Sequence, residues 1–394
     1  MPSWVMNDRP FLIAGGGIAG LATSLALARV GLSSAVFEQA PAFGEAGAGL
    51  QISPNAVHCL RYIGAWDAVE ANCVAPNEIH VRDGRSGKIL QRIPVGKSFE
   101  AQFGAPYRVA HRSDLLQALL RTAEASPHIA LHTARTVEKA ENTGCGTRLH
   151  FTDGAIAEGA AVIAADGISS SIRKTIVGDG KPIYGGHAIY RALLPFDKVP
   201  LSIAADCVTL WLYPGGHAVH YAVSNWRQFN IIVALESPRA EDGWGEPAGK
   251  AEVLNGLADA ADPLAELLAG VPTWLKWAAS DRLPVDQWSS GNIALIGDAA
   301  HASLPYIAQG AAMALEDACV LAKCLREEPG VKTTLAKYAS QRQPRTARIQ
   351  AEARRLGNLY HARGLNALAR NTALHWLGAE HALERNRWIY EWKP

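Results

Sequence analysis

Four apolar residues, Phe11–Ala14, run straight into a glycine cluster, and an Ala- and Leu-rich stretch, Ile18–Val30, follows and closes at Gly31. An unbroken apolar run of four predicts a strand buried on both faces, and the longer run predicts a buried helix. Ser34–Glu38 is a second β-rich run, which completes a strand–helix–strand unit. Ser113–Ala125 predicts an amphipathic helix, with Leu115, Leu116, Leu119 and Leu120 on one face. From Ile129 the pattern returns to strands. Thr147–Thr152 leads into an Asp153-Gly154 hairpin turn, and Ala161–Ala165 is a buried run ending in Asp166-Gly167.

The texture then changes. Cys207–Tyr213, His217–Ser224 and Phe229–Leu235 are β-rich runs joined by Pro214-Gly215-Gly216 and a polar turn at Asn225, which predicts an antiparallel meander. Glu241–Gly249 reads as a polar, Gly-rich loop. The first kind of pattern resumes with a strand at Asn292–Ile296, then Gly297-Asp298, a helix over Gly310–Leu325, and largely helical chain to Trp388. The 394 residues suffice for about two domains. The expected fold is α/β and interleaved: a Rossmann-like nucleotide-binding domain (1–184), a β-rich substrate domain (185–283), then completion of the first domain and a helical C-terminus (284–394).

Composition narrows the function. Lys plus Arg number 38 against 37 Asp plus Glu, so there is no basic surplus for nucleic-acid binding. Six scattered cysteines with no C-x-x-C pair read as reduced thiols of a cytoplasmic protein, with no zinc site. Phe11–Ala28 is uncharged and nearly long enough to span a bilayer, but glycines interrupt it and Asp8 beside Arg9 precedes it, so no membrane segment is expected. Between Lys323 and Arg370, eleven basic residues face three Glu, which reads as a solvated helix face.

Gly15-Gly16-Gly17-Ile18-Ala19-Gly20 fits G-x-G-x-x-G. In that pattern Gly15 permits the tight turn, Gly17 lets a pyrophosphate approach the backbone, and Gly20 allows close helix–strand packing. Glu38, 23 positions after Gly15, ends the second strand, where a carboxylate can accept bonds from ribose hydroxyls. This fingerprint alone does not separate NAD from FAD, and no second copy of it exists in the chain.

Two later segments do separate them. Ala165-Asp166-Gly167 through Arg173 resembles the DG motif, and Ile296-Gly297-Asp298 through Pro305, Gln309-Gly310-Ala311 and Glu316-Asp317-Ala318 resembles the GD motif, of group A single-component FAD-dependent aromatic hydroxylases. Gly47-Ala48-Gly49-Leu50, Ser53-Pro54-Asn55 and His111-Arg112-Ser113-Asp114-Leu115 extend the resemblance over nearly the whole chain, closest to the salicylate hydroxylase and hydroxynicotinate monooxygenase branches. The resemblance implies FAD held by Gly15, Gly17, Gly20, Glu38, Gln51, Arg112, Val137, Asp166, Asp298, Gly310 and Ala311, with Pro305 beside the flavin. It further implies NADH or NADPH as a transient co-substrate, O2 as oxidant, and a small hydroxylated aromatic acid as substrate. The protein is expected to be a monomer or homodimer.

His217, Val219 and Tyr221 share one face of a strand and His220 takes the other, because strand side chains alternate. The spacing of His217 and Tyr221 resembles a substrate-facing pair of these hydroxylases, and Cys207 resembles a pocket position. Gln51 departs from the hydroxynicotinate branch, which carries a His there as base, and Gln takes up no proton at neutral pH. Either His217 or Tyr221 deprotonates the substrate, or the substrate binds as an anion. Other classes on this scaffold are an FAD-dependent dehydrogenase or epoxidase, and a non-enzymatic flavin redox sensor.

Overall fold

The computed structural model describes residues 9–44, 48–238, 244–328 and 330–394; Asp8, Gly47 and the first part of the Glu241–Gly249 segment lie outside the described residues. Phe11–Ala14 is the centre of a six-stranded sheet ordered Ser289–Ser290, Ile293–Leu295, Ala161–Ala164, Phe11–Ala14, Ser34–Phe37, Ile129–His132. All its pairings are parallel except the antiparallel edge at Ser289–Ser290. Every residue of Phe11–Ala14 and Ala161–Ala164 is buried, which explains why these strands are apolar without alternation. Helix Ile18–Arg29 packs against helices Gly310–Glu327 and Arg112–Glu124, so the last third of the chain completes the domain that the first residues begin.

The second sheet has eight strands, ordered Trp244–Ala248, Trp274–Asp281, Ile183–Pro195, Gln228–Glu236, Gly216–Val223, Cys207–Tyr213, Glu78–Asp83, Ile89–Pro94. The meander is antiparallel as expected. The interleaving goes further than the sequence suggests, because Cys207–Tyr213 pairs in parallel with Glu78–Asp83, from the first segment of the chain. Trp244–Ala248 is a strand rather than loop; its partner Trp274–Asp281 supplies the pairing that its composition does not advertise.

One face of this sheet, with Trp211, Phe229, Ile231 and Val233, is covered by Val253, Leu264 and Leu267 of two short helices. The other face, with Ile189 and Ala234, packs against Leu304, Tyr306, Ala353 and Leu356. Two long helices, Val331–Tyr360 and Gly364–Tyr390, close the structure. The basic run along them is not uniformly solvated. Arg342 and Arg370 are buried: Arg342 pairs with Glu316 and Asp317, and Arg370 donates to the carbonyls of Leu359 and Tyr360 at the end of the preceding helix. Among the described residues no helix is long and apolar enough to cross a membrane, and all six cysteines are free thiols.

Candidate active site

The glycine turn is built as the fingerprint requires. Gly15 has φ +106°, and a Cβ on Gly20 would stand 1.9 Å from the Gly15 carbonyl oxygen, so only glycine fits there. A Cβ on Gly17 or on Gly310, the first residue of helix Gly310–Glu327, would meet nothing within 4 Å. Both backbones border open space beside a helix N-terminus, which is where an anion is stabilised. Glu38 is fixed at the turn, its carboxylate accepting from Gly16 N at 2.8 Å and from Ala40 N at 2.9 Å. Asp166 accepts from Ser171 N at 2.9 Å, while its buried Oδ1 has no protein partner. Burial pushes the Asp166 carboxyl up despite the hydrogen bonds of Ser170 and the turn. The open cradle and the unpaired Oδ1 fit a dinucleotide with hydroxyl donors.

The DG and GD segments are bound together. Arg173 is fully buried, holds Asp179 with two of its nitrogens, and donates to the carbonyls of Ala299 and Ala300 at 2.9 and 2.7 Å. Asp317 accepts from Gly297 N at 3.0 Å, His301 at 2.6 Å and Arg342 at 2.6 Å. Gly297 has φ +59°, a conformation that glycine adopts readily. Asn55 donates to Glu316 at 2.7 Å and to Gln309 at 3.0 Å, and Gln309 donates to Ser53 at 3.0 Å. This buried network ties the loop at Ser53 to the start of helix Gly310–Glu327. Asp298 is exposed at the start of a short helix, Pro305 opens a 3-10 turn, and Ala311 follows Gly310. Arg112 begins helix Arg112–Glu124, its backbone N bonded to Ala48 O at 2.8 Å, and Val137, itself half-buried, begins the strand Val137–Thr143.

The large sheet supplies the second wall. Tyr221 is 2% exposed, and a Cβ on Gly49 would stand 2.6 Å from its ring and 2.5 Å from Asn230. Gly49 N also donates to Asn230 Oδ1 at 2.7 Å. The large sheet therefore abuts the strand Gly49–Ile52, in which Gln51 accepts from the Tyr107 hydroxyl. Burial pushes the Tyr221 phenol up, partly offset by Arg191, so Tyr221 stays protonated and is no base near neutrality.

His217 lies four residues along the same strand, roughly 13 Å from Tyr221 at the rise of an extended chain. Its Nδ1 is 2.8 Å from His361 Nε2, and its ring meets Tyr306 and Tyr360 edge-on, each at 5.5 Å. Burial, with a smaller contribution from His187, lowers its pKa to about 3. His361, at the end of helix Val331–Tyr360, has no distinguishing sequence signal beyond an aromatic residue before it, and sequence reasoning missed it.

Cys207 is not on this wall. It pairs with Glu78, and Thr209 two residues on pairs with His220, so its side chain takes the opposite face from Tyr221. There it lines a separate cavity of about 500 Å³ with Glu78, His80, Arg82 and Arg92. Glu78, His80 and Cys207 are close enough to share an ion, but Arg92 already lies 3.1 Å from Glu78 and 3.2 Å from His80, which supplies the cation. Burial, then Asp206, pushes the Cys207 thiol up to about 12.

The FAD binding domain family matches residues 8–353. A 3-hydroxybenzoate 6-hydroxylase of Polaromonas naphthalenivorans (strain CJ2) is 37% identical over 98% of this chain and 96% of its own. A 6-hydroxynicotinate 3-monooxygenase of Bordetella bronchiseptica is 33% identical over 88% of this chain and 91% of its own. Among solved structures, Klebsiella pneumoniae HpxO complexed with FAD and uric acid superposes with a TM-score of 0.87 at 25% identity, covering 97% of each chain.

Proposed function

The chain belongs to the FAD-binding family of single-component aromatic hydroxylases, and from that premise we propose that it hydroxylates a small hydroxybenzoate, 3-hydroxybenzoate first among the candidates. NAD(P)H and O2 are the co-substrates. FAD, when bound, supplies the reductive activation of O2. The glycines at 15, 17 and 20, with Glu38, Gln51, Arg112, Val137, Asp166, Asp298, Gly310 and Ala311, would hold it, with Pro305 at its side.

The observation that carries this reading is the seating of Tyr221 and Asn230 against Gly49, which sets the His217–Tyr221 face of the large sheet beside the segment that reaches Gln51. The protein's tasks there are to orient the ring, exclude water and favour the ionised ring hydroxyl, which activates the carbon para to it. Neither His217 nor Tyr221 carries a charge at neutral pH. That favours a substrate bound as the phenolate and held by donors.

The test is a screen of the purified holoenzyme against hydroxybenzoates and hydroxypyridine carboxylates. The expected outcome is NAD(P)H consumption stimulated by 3-hydroxybenzoate, with a dihydroxybenzoate as product. NAD(P)H oxidation indifferent to every aromatic acid would point to a dehydrogenase. A flavoprotein with no turnover would point to a sensor.

A further inference from the structure

The His217–His361 contact decides more than position. In a neutral imidazole one nitrogen donates and the other accepts, so one proton lies between His217 Nδ1 and His361 Nε2, which are 2.8 Å apart. Who donates is settled at the far side of His361. Its Nδ1 is buried without a protein partner. Were His217 the donor, His361 would carry its proton on that Nδ1, leaving a buried N–H unpaired. Orphaned buried N–H groups are rarer than under-satisfied acceptors. His361 therefore donates from Nε2, and its Nδ1 keeps a lone pair. His217 accepts at Nδ1 and bears its own proton on Nε2, the nitrogen left for a ligand.

We propose that His361 is a positioning residue that turns the proton-bearing nitrogen of His217 toward the substrate, so that His217 holds the ring oxygen of a phenolate by donation instead of removing its proton. The proposal rests on the reading that His217 faces the substrate. No proton is transferred to His217: the substrate's hydroxyl proton goes to solvent as it binds.

The surroundings keep both rings neutral. His187 packs on His361 with centroids 4.0 Å apart and the rings tilted by 34°, and its Nδ1 donates to Gly185 O at 2.9 Å. Tyr306 meets His187, His217 and His361 edge-on, and Tyr360 packs on His217. A cation, Arg370, acts on His361, and among the described residues no carboxylate acts on either ring. Burial first, then His217, His187 and Arg370, lowers His361 to about 2. A carboxylate partner would have stabilised an imidazolium; this pocket does the opposite. His361 is itself anchored, its backbone N bonded to Gly357 O at 3.1 Å and its carbonyl accepting from Gly215 N at 3.0 Å in the hairpin turn before the His217 strand.

Two measurements on the holoenzyme test this. Nitrogen-15 NMR of labelled histidines, without substrate and with His217 assigned by its loss in His217→Gln, should show the Nε2–H tautomer from pH 6 to 8. The Nδ1–H tautomer would overturn the proposal whatever the substrate. The second is the pH midpoint at which bound 3-hydroxybenzoate shows its phenolate absorbance. His361→Leu, which cannot donate, should raise that midpoint by about one unit, a tenfold loss. His361→Gln, which donates from its amide, should restore most of it at equal flavin content. A wild-type midpoint in His361→Leu alongside a shifted one in His217→Gln rejects the role of His361 alone. A wild-type midpoint in both rejects the site reading, and this proposal with it.

Discussion

Arg173 donates to the carbonyl oxygen of Ala300 at 2.7 Å, across 127 residues of sequence. The bond joins the segment around Asp166 to the segment around Asp298, which flank the same expected cofactor. Arg173 is rigid because Asp179 holds the other side of its guanidinium. Arg173→Leu leaves the carbonyls of Ala299 and Ala300 without this donor and leaves Asp179 to Arg282, 3.3 Å away. The expected loss is about 3 kcal/mol of stability, with a lower Tm and less flavin retained on purification. Arg173→Lys should rescue little, because an ammonium cannot span the carboxylate and both carbonyls. Thermal unfolding and flavin absorbance on the same samples check it.

The glycines of the turn should divide into two classes. Gly20→Ala forces a methyl to within 1.9 Å of backbone and should destabilise the fold itself, by about 1–3 kcal/mol. Gly17→Val enters open space and should leave the apoprotein folded but unable to keep FAD. Circular dichroism melts paired with flavin stoichiometry separate the two.

Asp298 is exposed, and among the described residues its side chain makes no hydrogen bond or ion pair. Asp298→Ala should therefore weaken FAD retention with little change in the Tm of the flavin-free protein. Flavin affinity equal to wild type would remove Asp298 from the cofactor contacts.

Much of this was legible because it is local. The glycine spacing, the buried strand before it and the acid after it all fall within thirty residues. The alternation that puts His217 and Tyr221 on one face is equally local. What stayed hidden depends on partners far along the chain. Glu78–Asp83 joins the large sheet only through Cys207–Tyr213, and Trp244–Ala248 is a strand only because Trp274–Asp281 lies beside it. In the sequence Arg342 reads as one more solvated base, because its partners Glu316 and Asp317 lie on the preceding helix, 26 and 25 positions earlier. His361 could not be linked to His217 from periodicity, since the hairpin turn and a helix end meet only in three dimensions.

The Glu316–Asp317 cluster predicts a pH dependence of stability. Burial pushes both carboxyls up, but Arg342 with Arg345 and His301 outweighs it, and both lie below their ordinary values of 4.5 and 3.8. A carboxyl with a depressed folded pKa binds fewer protons folded than unfolded. Its contribution is complete above those ordinary values and is lost as pH falls through the folded ones. Tm should drop steeply below about pH 4.5. Asp317→Asn should start from a lower Tm at pH 7 and fall less on the acid side.

The most direct test of the whole account is the amount of hydroxylated product formed per NAD(P)H consumed, with 3-hydroxybenzoate as substrate and FAD occupancy measured on the same samples. Wild type should couple the two closely. His217→Ala and Tyr221→Phe should keep full FAD, yet lose product formation, by about 10²-fold where a donor that holds the phenolate is removed, while NAD(P)H oxidation continues with release of H2O2. Wild-type coupling and turnover in both variants would contradict the account and make this face of the sheet ordinary structure.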